Sequence, residues 1–260
     1  MWDEFGIMYR KAEFFQLKYP LKIDEIKSKF KDLKSTKRKI LDKNSTIRKI
    51  ELNCDIEHKK VKDENYIIGI DFEFQISPRK GVPYQKTRDL YGLIFLPGYN
   101  LLVVLGRDTA VSELLSFIGK TLYPNGGNEI VFKHLQFNPD SLVETIKKLR
   151  RDDPKSWCDE YRGKHDAIKY QGKKTKSNFS LGEGECVLDD QEAIDAINNA
   201  TSINPTFKFY KCPKLTSKTY DAPKYILFNG GNGSVSVSVA QDFDNWYKFI
   251  SGFLVEELQW

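Results

Sequence analysis

Two stretches of the chain, 133 residues apart, read alike, and their likeness limits the fold more than any other feature of the sequence. The first runs Tyr91-Gly92-Leu93-Ile94-Phe95-Leu96, turns at Pro97-Gly98-Tyr99-Asn100 and returns as Leu101 to Leu105. The second runs Lys224 to Phe228, turns at Asn229-Gly230-Gly231-Asn232-Gly233 and returns as Ser234 to Val239. Phe95 corresponds to Phe228, and Gly98 to Gly231. Two apolar runs joined by a short turn containing Gly predict a hairpin in each case. A helix follows each hairpin. Asp108 or Thr109 caps the first, which points Val111, Leu114, Leu115, Ile118 and Leu122 inward. The second carries Phe243, Trp246, Tyr247, Ile250, Phe253 and Leu254. Phe117-Ile118-Gly119 in one is answered by Phe249-Ile250-Ser251-Gly252 in the other. A strand precedes each unit, Tyr66 to Ile76 and Thr206 to Lys211. The pattern predicts an α+β fold: an antiparallel sheet built from two related strand–hairpin–helix halves, with helices packed on one face. Along the chain this gives an N-terminal half (1–149), a basic surface loop (150–184) and a second repeat (185–260), folded as one compact unit.

Length and composition agree with a globular chain. At 260 residues, 40% of them apolar, it buries a core without staples. Cys54, Cys158, Cys186 and Cys212 lie far apart with no C-x-x-C pair, which excludes a zinc ribbon and argues for a reducing compartment, cytoplasm or nucleus. No apolar run reaches the ~18 residues of a membrane span, so no membrane partner is expected. His58, His134 and His165 are isolated and lack the spacing of a zinc site.

Charge is segregated. Lys22 to Lys62 holds 14 basic and 7 acidic residues; Lys147 to Lys176 holds 11 and 5. The whole chain carries +5, so the remainder carries −8. Such segregation suits a protein with one face toward a polyanion. Ile23, Ile26, Phe30 and Leu33 predict an amphipathic helix over 21–41 with a basic outer face. Lys37, Arg38 and Lys39 close that segment, and Arg48 and Lys49 start the strand after it. In the second segment Arg150, Arg151, Lys155, Arg162, Lys164, Lys173, Lys174 and Lys176 interleave with Trp157, Tyr161 and Tyr170. Cations displace counterions from phosphates and aromatic rings offer stacking surfaces, so these thirteen cations are the candidate nucleic-acid contacts. The expected partner is nucleic acid, DNA first, with no cofactor. A structural subunit whose basic loop docks on an acidic protein is an alternative. The strand Ser234 to Val239 turns its small hydroxyls to one face, which lets a flat partner approach.

The order Leu93-Ile94-Phe95, Gly98, Leu101 to Leu105, Gly106 and a helix to Leu122 resembles one half of the TATA-box-binding-protein-like fold. The second half departs from it, with Ala240 in place of the Gly. The layout is also similar to the ring-forming recombination-inhibitor proteins of bacteria, through Met1, Trp2 and Tyr9-Arg10. The resemblance implies a sheet that faces duplex DNA.

One enzymatic pattern stands beside this. Gly69-Ile70-Asp71-Phe72-Glu73-Phe74 places two carboxylates on one face of a strand, where they could hold Mg²⁺ or Mn²⁺ for attack on a phosphodiester. It resembles the first motif of the DEDD 3′–5′ exonucleases, and Asp140 stands where the second acidic motif would fall. The family's fourth Asp, with a Tyr or His before it, has no match. The competing expectation is that Asp71 and Glu73 form the solvent face of an amphipathic strand.

Overall fold

The computed structural model describes residues 8–31, 36–40, 50–76, 85–107, 111–125, 131–152, 157–165, 176–180, 191, 200–209 and 224–257. At 36–40, 50–61, 72–76, 85–88, 150–152, 157–165, 176–180, 200–202, 205–209, 224 and 257 the description is of backbone alone. The chain is α+β and forms two compact units, one of Phe14–Lys133 and one of Met1–Glu13 with His134–Trp260. Strand β1 (Tyr9–Leu17) begins in the second and ends in the first.

The Phe14–Lys133 unit contains α1 (Ile23–Lys31), β2 (Thr36–Ile40), β3 (Ile50–Lys62), β4 (Asn65–Ile76), β5 (Gln85–Leu96), β6 (Leu101–Leu105) and α2 (Val111–Leu122). Its strands are antiparallel in the order β2-β3-β4-β5-β6. One face packs Ile68, Ile70, Tyr91, Leu93, Phe95 and Val104 against Ile26 and Phe30 of α1 and Leu114 and Ile118 of α2. The Phe30 ring lies 5.7 Å from that of Phe95. Ile67, Ile94, Leu96, Val103 and Leu105 on the other face are buried too. Burial on both faces is why 93–96 and 101–105 are unbroken apolar runs rather than alternating ones.

The helix expected over 21–41 is α1 alone; residues 36–40 are strand, which corrects that expectation. The apolar stripe Ile23, Ile26, Phe30, Leu33 next requires an apolar residue at 37, and Lys37 stands there. With no face left to bury, 36–40 satisfies its backbone by pairing with β3, Lys39 opposite Glu51.

The second unit contains α3 (Pro139–Asp152), β8 (Trp157–His165), β9 (Lys176–Ser180), β10 (Ala200–Phe209), β11 (Lys224–Asn229) and β12 (Ser234–Gln241), and the short β7 (Phe132–His134) spans the division between the units. α4 (Phe243–Phe249) follows β12 and continues through a π-helical turn, Ile250–Leu254. The antiparallel order is β9-β8-β10-β11-β12, with Tyr9–Glu13 of β1 beside β12. Ile203, Ile226, Phe228, Val235 and Val237 are buried, whereas Tyr225 and Leu227 are 41% and 36% exposed. At β11 and β12 this sheet therefore has an apolar face and an open one.

Two strands lie within 150–184, the stretch expected as a loop. Their polar positions are charged, which hides the alternation. β10 begins at Ala200, six residues before the expected strand, and includes Pro205, a residue that argues against a strand interior. The helix expected over 189–200 lies outside the described residues save Gln191, which is helical, and Ala200, which is strand.

The hairpins β5–β6 and β11–β12 share their register. Ile94 faces Val103 and Leu227 faces Ser236; Phe95 faces Leu102 and Phe228 faces Val235. Each turns through a 3₁₀ segment, Pro97–Tyr99 or Gly230–Asn232, and ends on a left-handed residue: Asn100 at φ 54° and Gly233 at φ 50°. The helices differ by one residue. Phe117 and Phe249 are 132 apart, but Gly119 and Gly252 are 133 apart, and the π-helical turn that starts at Ile250 absorbs the extra residue.

Candidate nucleic-acid interface

The open face of the second unit is best described in rows across its strands. Residues directly opposite on neighbouring strands share a face, and alternate residues of one strand return to it. One row runs Ser236, Leu227, Thr206, Glu160, Ser180 over β12, β11, β10, β8 and β9. The next, toward the edge, contains Asn204, Arg162 and Asn178, and the one beyond it Ser202, Lys164 and Lys176. On the opposite side of the first row, past a bulge on β8 between Glu160 and Cys158, Lys208 lies between Tyr225 on β11 and Trp157 on β8.

Arg162, Lys164 and Lys176 thus share one face of the outer strand pair, with Lys164 directly opposite Lys176. Like charges at opposed positions destabilise a sheet unless a counter-charge is near. Ser202, Thr206, Ser236 and Ser238 hold neighbouring positions on the same face. The Ser238 hydroxyl accepts a bond of 3.0 Å from the Tyr225 N–H, fixing that end of the hairpin. Arg150 and Arg151 occupy the last turn of α3, where cations complement the helix dipole. Tyr161 sits opposite Phe179, on the face opposite to that of Arg162.

The remaining expected contacts are dispersed. Lys37, Arg38 and Lys39 lie on β2 in the other unit, alternating between its faces. Arg48, Lys49, Lys155, Lys173, Lys174 and Tyr170 lie outside the described residues. Lys208 and Tyr225 share this face but belong to neither basic segment. The signal for them was the alternation of 206–209 and 224–228 against their buried neighbours, not local charge.

Asp71 is only 5% exposed, which overturns the expectation of a solvent-facing carboxylate. It stands opposite Asp55 on β3 and Leu90 on β5, and Glu73 stands opposite Asn53 and Arg88. Asp140 belongs to the other unit, exposed in the first turn of α3 with its N–H on the Asn138 side chain at 2.8 Å. Among the described residues no three His, Cys, Asp or Glu side chains are grouped to hold a metal ion.

An open groove of about 840 Å³ in the first unit is lined by Tyr19, Asp24, Glu25 and Tyr123. Its polar groups hold the fold together: the Tyr123 hydroxyl donates to the Tyr19 carbonyl at 2.6 Å, and Glu25 accepts from the Lys22 N–H at 2.7 Å. Burial, then Glu25 and Tyr19, push the Tyr123 hydroxyl up to about 12. No described helix is long and apolar enough to cross a membrane. No family model matches the chain, and no curated protein matches it.

Proposed function

We propose that the protein is a nucleic-acid-binding protein, non-enzymatic, that grips the phosphate backbone with the open face of its second unit. The observation that carries this is the register of β8 and β9: Arg162, Lys164 and Lys176 share a face, with two ammonium-bearing residues opposed. A polyanion would supply counter-charge to these opposed cations; Glu160 is the one acid in the rows described. Lys208 extends the positive surface inward along β10.

Fluorescence anisotropy of labelled DNA and RNA, single-stranded and duplex, tests the proposal. Binding is expected at low salt. Three neutralised phosphates give a log K against log salt slope of about −2.7 on duplex or about −2.1 on a single strand. Replacing Arg162, Lys164 and Lys176 together by Ala is expected to remove most of that slope. Failure of every form to bind at low salt would overturn the proposal. So would binding that salt does not weaken.

A further inference from the structure

Resting on that proposal, we infer that the open face recognises single strands by stacking an unpaired base on Tyr225. Three observations converge. Among the described residues Tyr225 and Leu227 are two of the few large apolar ones left exposed, and both lie on this face. Their neighbours in register are short or cationic: Thr206 and Ser236 beside Leu227, and Lys208 beside Tyr225. The exposed part of the Tyr225 ring is open to a flat base. Finally, Trp157 holds the position beyond Lys208 in the same row, two strand spacings from Tyr225, roughly 10 Å.

That row, aromatic–cation–aromatic, matches the repeat of a single strand: a base, a backbone phosphate, a base. Stacking is available only to bases released from pairing, because in a duplex the base faces are covered by their neighbours. The cationic positions Arg162, Lys164 and Lys176 meet backbone in either form, so they supply affinity but no preference. Preference for the single strand then falls on Tyr225.

The test uses the full chain, a short labelled single strand and the duplex of the same sequence. Tyr225→Ala is expected to weaken single-strand binding about 5- to 150-fold, the range for losing one stacked base. Duplex binding should change less than about 2-fold, and Tyr225→Phe, which keeps the ring, should retain single-strand affinity. Because Tyr225 is exposed, circular dichroism should show each variant folded as the parent. Lys164→Ala with Lys176→Ala should weaken both forms. Unchanged single-strand binding by Tyr225→Ala overturns the stacking inference, as does an equal loss on both forms, while the double lysine variant still reports on phosphate contact. Failure of the parent to bind either form overturns the proposed function itself.

Discussion

Trp246→Ala is expected to destabilise the second unit by about 3–5 kcal/mol, the usual cost of truncating a large aromatic in a core. Trp246 has no exposed surface, and its ring packs edge-on against Phe249 at 6.1 Å. Its indole N–H donates to the Tyr9 carbonyl at 3.0 Å, joining positions 237 apart in the chain. The side chain therefore fills the core beneath α4 and ties the start of β1 to the C-terminal helix of the same unit. α4 itself is set by Asp242, whose carboxylate accepts from the Asn245 N–H at 2.7 Å as an N-cap. Trp246→Phe separates the two contributions. It keeps most of the packing and removes the bond, so about 1 kcal/mol of loss is expected from the hydrogen bond. Urea unfolding followed by circular dichroism reads both. A Trp246→Ala midpoint equal to that of the parent would contradict the role given to this residue.

Gly233→Ala is the second large effect, about 2–5 kcal/mol: the left-handed penalty for a side chain plus overpacking. Gly233 sits at φ 50°, and a Cβ there would collide with the Leu135 carbonyl oxygen. Relief would require moving the 134–137 segment. That segment is pinned by the Phe137 N–H on the Gly230 carbonyl at 3.0 Å, while the Gly230 N–H donates to the Asn204 side chain at 3.0 Å. The equivalent position in the other hairpin shows that the left-handed backbone alone is not the obstacle. Asn100 adopts φ 54° and uses its side-chain amide to bond the Leu17 carbonyl at 2.8 Å. Gly233→Asn is thus the decisive companion: it tolerates the backbone but collides as Ala does. If Gly233→Asn unfolds with the parent's midpoint, the close approach of Leu135 is not what requires glycine there.

These two residues also mark what could and could not be read from the sequence. The hairpins were legible because Leu-Ile-Phe, a Gly-bearing turn and a second apolar run carry their information locally. The terminal helix was legible for the same reason, from the spacing of Phe243, Trp246, Ile250 and Phe253. Its π-helical turn was not, since one inserted residue leaves the apolar spacing nearly intact. β8 and β9 were hidden because alternate positions on them hold Arg162, Lys164 and Lys176, so that strands read as a basic loop. Buried Asp71 was misread because alternation assigns a face but cannot say whether that face is covered. The proposed interface depends on the pairing of 164 with 176 and of 208 with 157 and 225. Such pairings join distant segments and are decided by register, which no local pattern encodes.

Mass-spectrometric footprinting of lysine acetylation, with and without a bound oligonucleotide, tests the interface most directly. Lys164, Lys176 and Lys208 should lose reactivity on binding, while Lys147 on α3 and Lys248 on α4, both exposed, keep theirs. Protection of Lys147 and Lys248 with full reactivity at the three sheet lysines would contradict the account.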